Sequence, residues 1–172
     1  DELYRKVRVS DLQLLMQRRV SDPCYSMGWR PEIYHDVKES LGRMRLLMGF
    51  LPHAWRTVCD TMYDEEDGKC PPASPTQIIK YLLLKVDIWL EAKDPPGAVP
   101  YCMVALRLAR VHGLGTDIMG ECLYRFAVLK HESGEIPTTL NVLCELRNSV
   151  SNKNLLCRMN LLEAQVICHM AS

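Results

Sequence analysis

The chain has no surplus of charge of either sign: 21 lysines and arginines stand against 21 aspartates and glutamates. A balanced surface exerts no long-range pull on phosphate or acidic lipid, so nucleic acid is not an expected partner. Long apolar runs are also missing. The longest, such as Val99 to Leu106, fall well short of the ~18 to 20 residues that a membrane helix needs. No membrane association is expected, and the opening Asp1-Glu2-Leu3-Tyr4-Arg5 does not read as a secretory signal. Cysteine is plentiful but unordered, with eight residues spread from Cys24 to Cys168 and no pair at C-x-x-C spacing. Six of them fall on apolar or small-residue positions of predicted helices, where a free thiol acts as a small hydrophobe. This pattern fits a reducing, intracellular compartment, either nucleus or cytoplasm.

Recognisable chemistry is equally sparse. His35, His53, His112, His131 and His169 are scattered, with no H-E-x-x-H and no pair at helical metal spacing. Cys168 and His169 adjoin, yet neighbours on a helix point about 100° apart and cannot face one ion. A zinc site built from Cys59, Cys70 and a histidine would lack four clear ligands. The consecutive acids Asp64-Glu65-Glu66-Asp67 precede Gly68 and several prolines. They read as a solvated loop rather than as carboxylates converging on magnesium from one helix face. Gly113 and Gly115 lack the following Lys-Ser or Lys-Thr of a phosphate loop. No catalytic residue, cofactor, metal or small-molecule ligand is therefore expected, and the chain is not expected to be an enzyme.

What the chain does contain is a helical hairpin written twice. The first copy is Gln77 to Lys93, a break at Asp94-Pro95-Pro96-Gly97, then Ala98 to Val111. The second is Asp117 to Lys130, a break at Glu132-Ser133-Gly134-Glu135, then Ile136 to Val150. An offset of about 40 sets Leu83 on Leu123, Leu84 on Tyr124, Val86 on Phe126, Ile88 on Val128 and Trp89 on Leu129. One residue inserted at the break then sets Ala98-Val99 on Thr139-Leu140. In the second helix of the first copy, Val99, Met103 and Leu106 share one face and Ala98, Cys102, Ala105 and Ala109 another. Small residues let helix axes approach closely, so the second face is expected against the preceding helix. Gly113, Gly115 and Gly134 are expected to supply left-handed stops. A period of this length, built only of helices, predicts an all-α fold: an α-solenoid of antiparallel helix pairs.

The rest of the chain is less regular. Residues 1–63 predict irregular helices, a diverged repeat among them. Asp1 to Val20 is amphipathic, with Leu3, Val7, Leu12, Leu15 and Met16 set among basic residues. Asp22-Pro23 and Gly28 interrupt it. Pro31 opens a helix to about Phe50 that Pro52 ends, and Ala54 to Tyr63 forms a shorter one. Residues 64–76 read as an acidic, proline-rich loop. Ser74, Pro75 and Gln77 then carry the spacing of a capping box. From residue 77 to residue 172 the repeats run on. Leu155 to Met170 would be the first half of a third hairpin, so the chain is expected to continue beyond its last residue.

A long helix, a Pro or Gly turn, and a second helix opening on a small residue and an apolar one resemble the tetratricopeptide repeat family. The period near 40 and Thr139, where that family usually has alanine, depart from its pattern. The stretch Asp94-Pro95-Pro96-Gly97-Ala98-Val99-Pro100-Tyr101-Cys102-Met103-Val104-Ala105-Leu106, with Arg110 to Val142, is most similar to the C-terminal repeats of the fifth-subunit family of the anaphase-promoting complex. The resemblance implies a tetratricopeptide-like right-handed superhelix. It further implies a non-catalytic scaffold or adaptor whose partners are protein subunits of a larger assembly, a cell-cycle ubiquitin ligase. Polar positions on the first helices of the hairpins, Lys80, Asp87, Arg125 and Lys130, are the expected partner-binding residues. Two alternatives compete. A helical-repeat RNA-binding protein would call for a basic groove and a shorter period. A helical enzyme would need a polar cluster inside the apolar faces.

Overall fold

A computed structural model describes residues 31–66 and 72–171. The amphipathic stretch Asp1 to Val20 and the break at Asp22-Pro23 lie outside the described residues, as does the chain from Asp67 to Pro71. Among the described residues there are seven α-helices and no strand, so the fold is all-α. In order they are α1 Pro31–Leu47, α2 Leu51–Glu66, α3 Pro75–Glu91, α4 Pro95–Val111, α5 Thr116–Glu132, α6 Ile136–Ser149 and α7 Lys153–Ala171. The chain divides within α3 into two compact units, the first ending at Leu84 and the second starting at Lys85.

In the first unit, α1 packs on α2. His35 is buried, and its Nδ1 lies 3.0 Å from the Tyr81 hydroxyl. That hydroxyl donates back to the His35 carbonyl at 3.1 Å. Gly42 admits Leu84, whose Cδ2 would lie 2.5 Å from a Cβ at that position. In the second unit α5 packs on α4, α6 and α7, and α6 also packs on α7. Leu129, Leu146, Leu155, Met159 and Val166 are among its buried side chains.

The turns follow one rule. After α1, α3, α4 and α5 a single left-handed residue stops the helix: Gly49 (φ 78°), Lys93 (φ 61°), Gly113 (φ 57°) and Gly134 (φ 76°). In each case the next amide reaches back five residues, as in Phe50 to Arg45 at 2.9 Å and Glu135 to Lys130 at 2.8 Å. This bond satisfies a helix-end carbonyl and reverses the chain. Three expectations are corrected here. Gly49 rather than Pro52 ends α1; Pro52 sits in the first turn of α2, where a missing N–H costs nothing. Gly115 is no left-handed stop, because its φ is −53° and it precedes α5 as the N-cap. Gly97 lies inside α4 rather than in the break, with its amide donating to Asp94 Oδ1 at 3.1 Å.

The capping box is formed. Ser74 N–H donates to Gln77 Oε1 at 2.9 Å, and Gln77 N–H donates to Ser74 Oγ at 3.3 Å. At the other end of the acidic stretch, helix α2 continues through Asp64, Glu65 and Glu66, three residues past Tyr63.

The repeat register also differs from the sequence alignment. α3 and α5 begin at Pro75 and Thr116, and α4 and α6 at Pro95 and Ile136, an offset of 41 for both helices with no insertion. At that offset buried positions match buried positions: Ile79 with Gly120, Tyr81 with Cys122, Val86 with Ala127, Ile88 with Leu129 and Ala98 with Thr139. Superposing large side chains on large ones misplaces α5, because its buried positions are partly filled by Gly120, Cys122 and Ala127.

Candidate interaction groove and ion-pair ladder

The four polar residues singled out in the sequence are all committed to ion pairs within the chain. Lys80 Nζ binds Asp36 at 2.8 Å and Lys130 Nζ binds Glu135 at 2.7 Å, both near the surface. Asp87 and Arg125 pair with each other, the guanidinium Nε and a terminal nitrogen donating to the two carboxylate oxygens at 2.8 and 2.9 Å. The expectation of exposure fails most clearly for Arg125, whose side chain is only 9% exposed. A planar five-donor fork suits such a two-toothed contact, and burial demands one.

This contact belongs to a larger cluster. Arg125 also donates to Glu121 Oε2 at 2.5 Å, one helical turn earlier. The same carboxylate oxygen accepts from Arg158 on α7 at 2.9 Å, and the Arg158 guanidinium lies 4.3 Å from the Tyr124 ring centre. Asp87 and Arg125 are 38 residues apart, and Glu121 and Arg158 37. In each case a carboxylate on one helix, α3 or α5, is answered by a cation on the next helix but one, α5 or α7. Burial works to lower the Arg125 pKa, but Asp87 first and Glu121 next outweigh it and hold the guanidinium charged. Burial likewise pushes the Glu121 carboxyl upward, and hydrogen bonds and charge from Arg158 and Arg125 overcome it and hold the carboxyl below its usual range. Farther along the same helices, His131 Nε2 lies 2.9 Å from His169 Nδ1 with the rings stacked.

The small-residue face of α4 is buried, as expected. α4 packs on α5, the helix that follows, and the Cys102 thiol points to the Cys122 carbonyl at 3.9 Å. Burial, the first cause for each, drives the Cys102 thiol up to about 12 and the Cys122 thiol up to about 11. Other cysteines are less hidden than their helical positions suggested: Cys144, Cys157 and Cys168 are exposed. Cys70 lies outside the described residues, which contain no group of three or more potential metal ligands. Nor is any helix among the described residues long and apolar enough to cross a membrane.

Turning the small face of α4 inward turns its large residues outward. Met103 is 50% and Val104 48% exposed, and Val111 is 71% exposed. They form one wall of an open groove of about 650 Å³, which Arg107 and Arg110 continue. Buried Leu106, Leu123 and Val142 line it beside half-buried Phe126. Glu145 on α6 also lines it. The sequence placed Val99, Met103 and Leu106 on one face and gave no indication that only Leu106 would be covered. The useful signal was the stripe of Met103, Arg107 and Arg110 at helical spacing, apolar and basic together.

No protein-family model matches the chain, and neither a curated protein nor a solved structure matches it.

Proposed function

We propose that this chain is a non-catalytic scaffold or adaptor, an α-solenoid of tetratricopeptide-like helix pairs that holds protein subunits in a larger assembly. The observation that carries this reading is the ladder of contacts one repeat apart, Asp87 to Arg125 and Glu121 to Arg158. Repeat architectures depend on interfaces between each unit and the next, and a recurring interface is what such a fold needs to extend. An open apolar groove on α4, α5 and α6 adds a surface suited to a protein partner. The resemblance to the fifth-subunit family of the anaphase-promoting complex suggests the assembly, a cell-cycle ubiquitin ligase in the nucleus or cytoplasm.

The test is affinity purification of the tagged full-length protein from its own cells, followed by mass spectrometry after a salt wash. Stoichiometric ubiquitin-ligase subunits are the expected recovery. A different stable set would keep the scaffold and discard that assembly, and a protein recovered alone would overturn the scaffold reading.

A further inference from the structure

We propose that the groove formed by α4, α5 and α6 is a docking site for an amphipathic helix of a partner protein, one that carries acidic residues along the edge of its apolar stripe. The inference deepens the scaffold reading and rests on it for the nature of the partner.

Three observations converge on this occupant. The first is apolarity that the fold leaves open: Met103, Val104 and Val111 of α4 are large, exposed and line the same groove. Leu106, Leu123 and Val142, all buried, line the groove with them. An apolar trough flanked by two helices accepts a third helix through anchors at i, i+4 and i+7. The second is size. About 650 Å³ accommodates several large side chains entering together rather than one.

The third is charge, and it selects the partner's chemistry. Arg107 and Arg110 lie on the α4 wall, both exposed, and neither has an ion-pair partner among the described residues. The lysine and arginines of α5 and α6 are engaged: Arg125, Lys130 and Arg147 each bind a carboxylate. Two arginines left uncommitted beside an apolar wall complement carboxylates on the incoming helix, since Arg is the residue best suited to two-toothed carboxylate contact.

The experiment uses two fluorescein-labelled synthetic peptides of about 18 residues, long enough to be helical when bound. Both carry leucines at i, i+4 and i+7; one flanks them with glutamate, the other with lysine. Fluorescence anisotropy with the whole chain should show the glutamate peptide binding at least about tenfold tighter, a difference of about 1.4 kcal/mol. The double variant Arg107→Glu, Arg110→Glu should reverse that preference. The milder Arg107→Gln, Arg110→Gln should bring the two peptides close to equal, and Met103→Ser should weaken both severalfold. All three sites are exposed, and circular dichroism checks that the helices persist.

Equal affinity of the wild type for both peptides would overturn the proposal, as would an unchanged preference in the charge-reversed variant. So would no binding of the glutamate peptide at about 1 mM. The two readings fail separately. If partners co-purify with the wild type but the peptides show no charge preference, the groove assignment falls and the scaffold stands. If the preference appears but the full-length protein purifies alone, the groove stands as a peptide site and the scaffold falls.

Discussion

At the scale of single residues, the Arg125 cluster dominates. A guanidinium with only 9% of its side chain exposed is tolerable because Asp87 takes two of its donors and Glu121 a third. Removing a partner from such a site leaves desolvated charge, which typically costs about 3 to 5 kcal/mol. Arg125→Met should therefore lower stability by about 3 kcal/mol in urea denaturation, and a double-mutant cycle with Asp87→Asn should show strong coupling between the two. The acid limb of stability carries the signature of Glu121. Its folded-state pKa lies below the unfolded value of about 4.3, so its contribution is complete above that value and fades as pH falls through the folded pKa. Glu121→Gln should flatten the loss of urea midpoint between about pH 5 and pH 2. Thiol chemistry separates by burial. Maleimide at about pH 8 should label Cys144, Cys157 and Cys168 quickly, while Cys102 and Cys122 react only on unfolding, as peptide mapping would show.

At the scale of helices and turns, equivalent positions have different residues for physical reasons. Lys93 and Gly134 stop α3 and α5 in the same left-handed conformation, and only glycine adopts it without strain. Lys93→Gly should raise stability by about 0.5 to 1 kcal/mol, read from the thermal or urea midpoint. Close approach is the opposite case. A Cβ on Gly120 would lie 2.8 Å from both Leu155 Cδ2 and Val150 Cγ2. Better helix propensity favours Gly120→Ala by about 1 kcal/mol, but overpacking costs about 1 to 3. Because Leu155 is buried and Val150 is β-branched, neither gives way easily, and a net loss of stability is expected. The helices, the stops at Gly113 and Gly134 and the capping box at Ser74 were legible in the sequence because caps and periodicity are local, whereas the stops at Gly49 and Lys93 were not. The register of α5 was not, since burial of Gly120 and Ala127 is decided by the helices that pack on them.

At the scale of the whole molecule, the candidate site was less legible than the fold. Sequence patterns separate polar from apolar faces, but a polar position can be consumed by an intramolecular pair, as at Asp87 and Arg125, and an apolar one can remain uncovered, as at Met103. Both outcomes depend on helices a repeat away. That same spacing has a consequence for how the protein is made. In Asp36 with Lys80, Asp87 with Arg125, and Glu121 with Arg158, the acid precedes the base along the chain. A ribosome adding about 5 to 20 residues per second covers the 38 residues from Asp87 to Arg125 in roughly 2 to 8 seconds. When Arg125 emerges, both of its carboxylates have already been synthesised, so the nascent chain can pair that cation without waiting for any later part of the sequence.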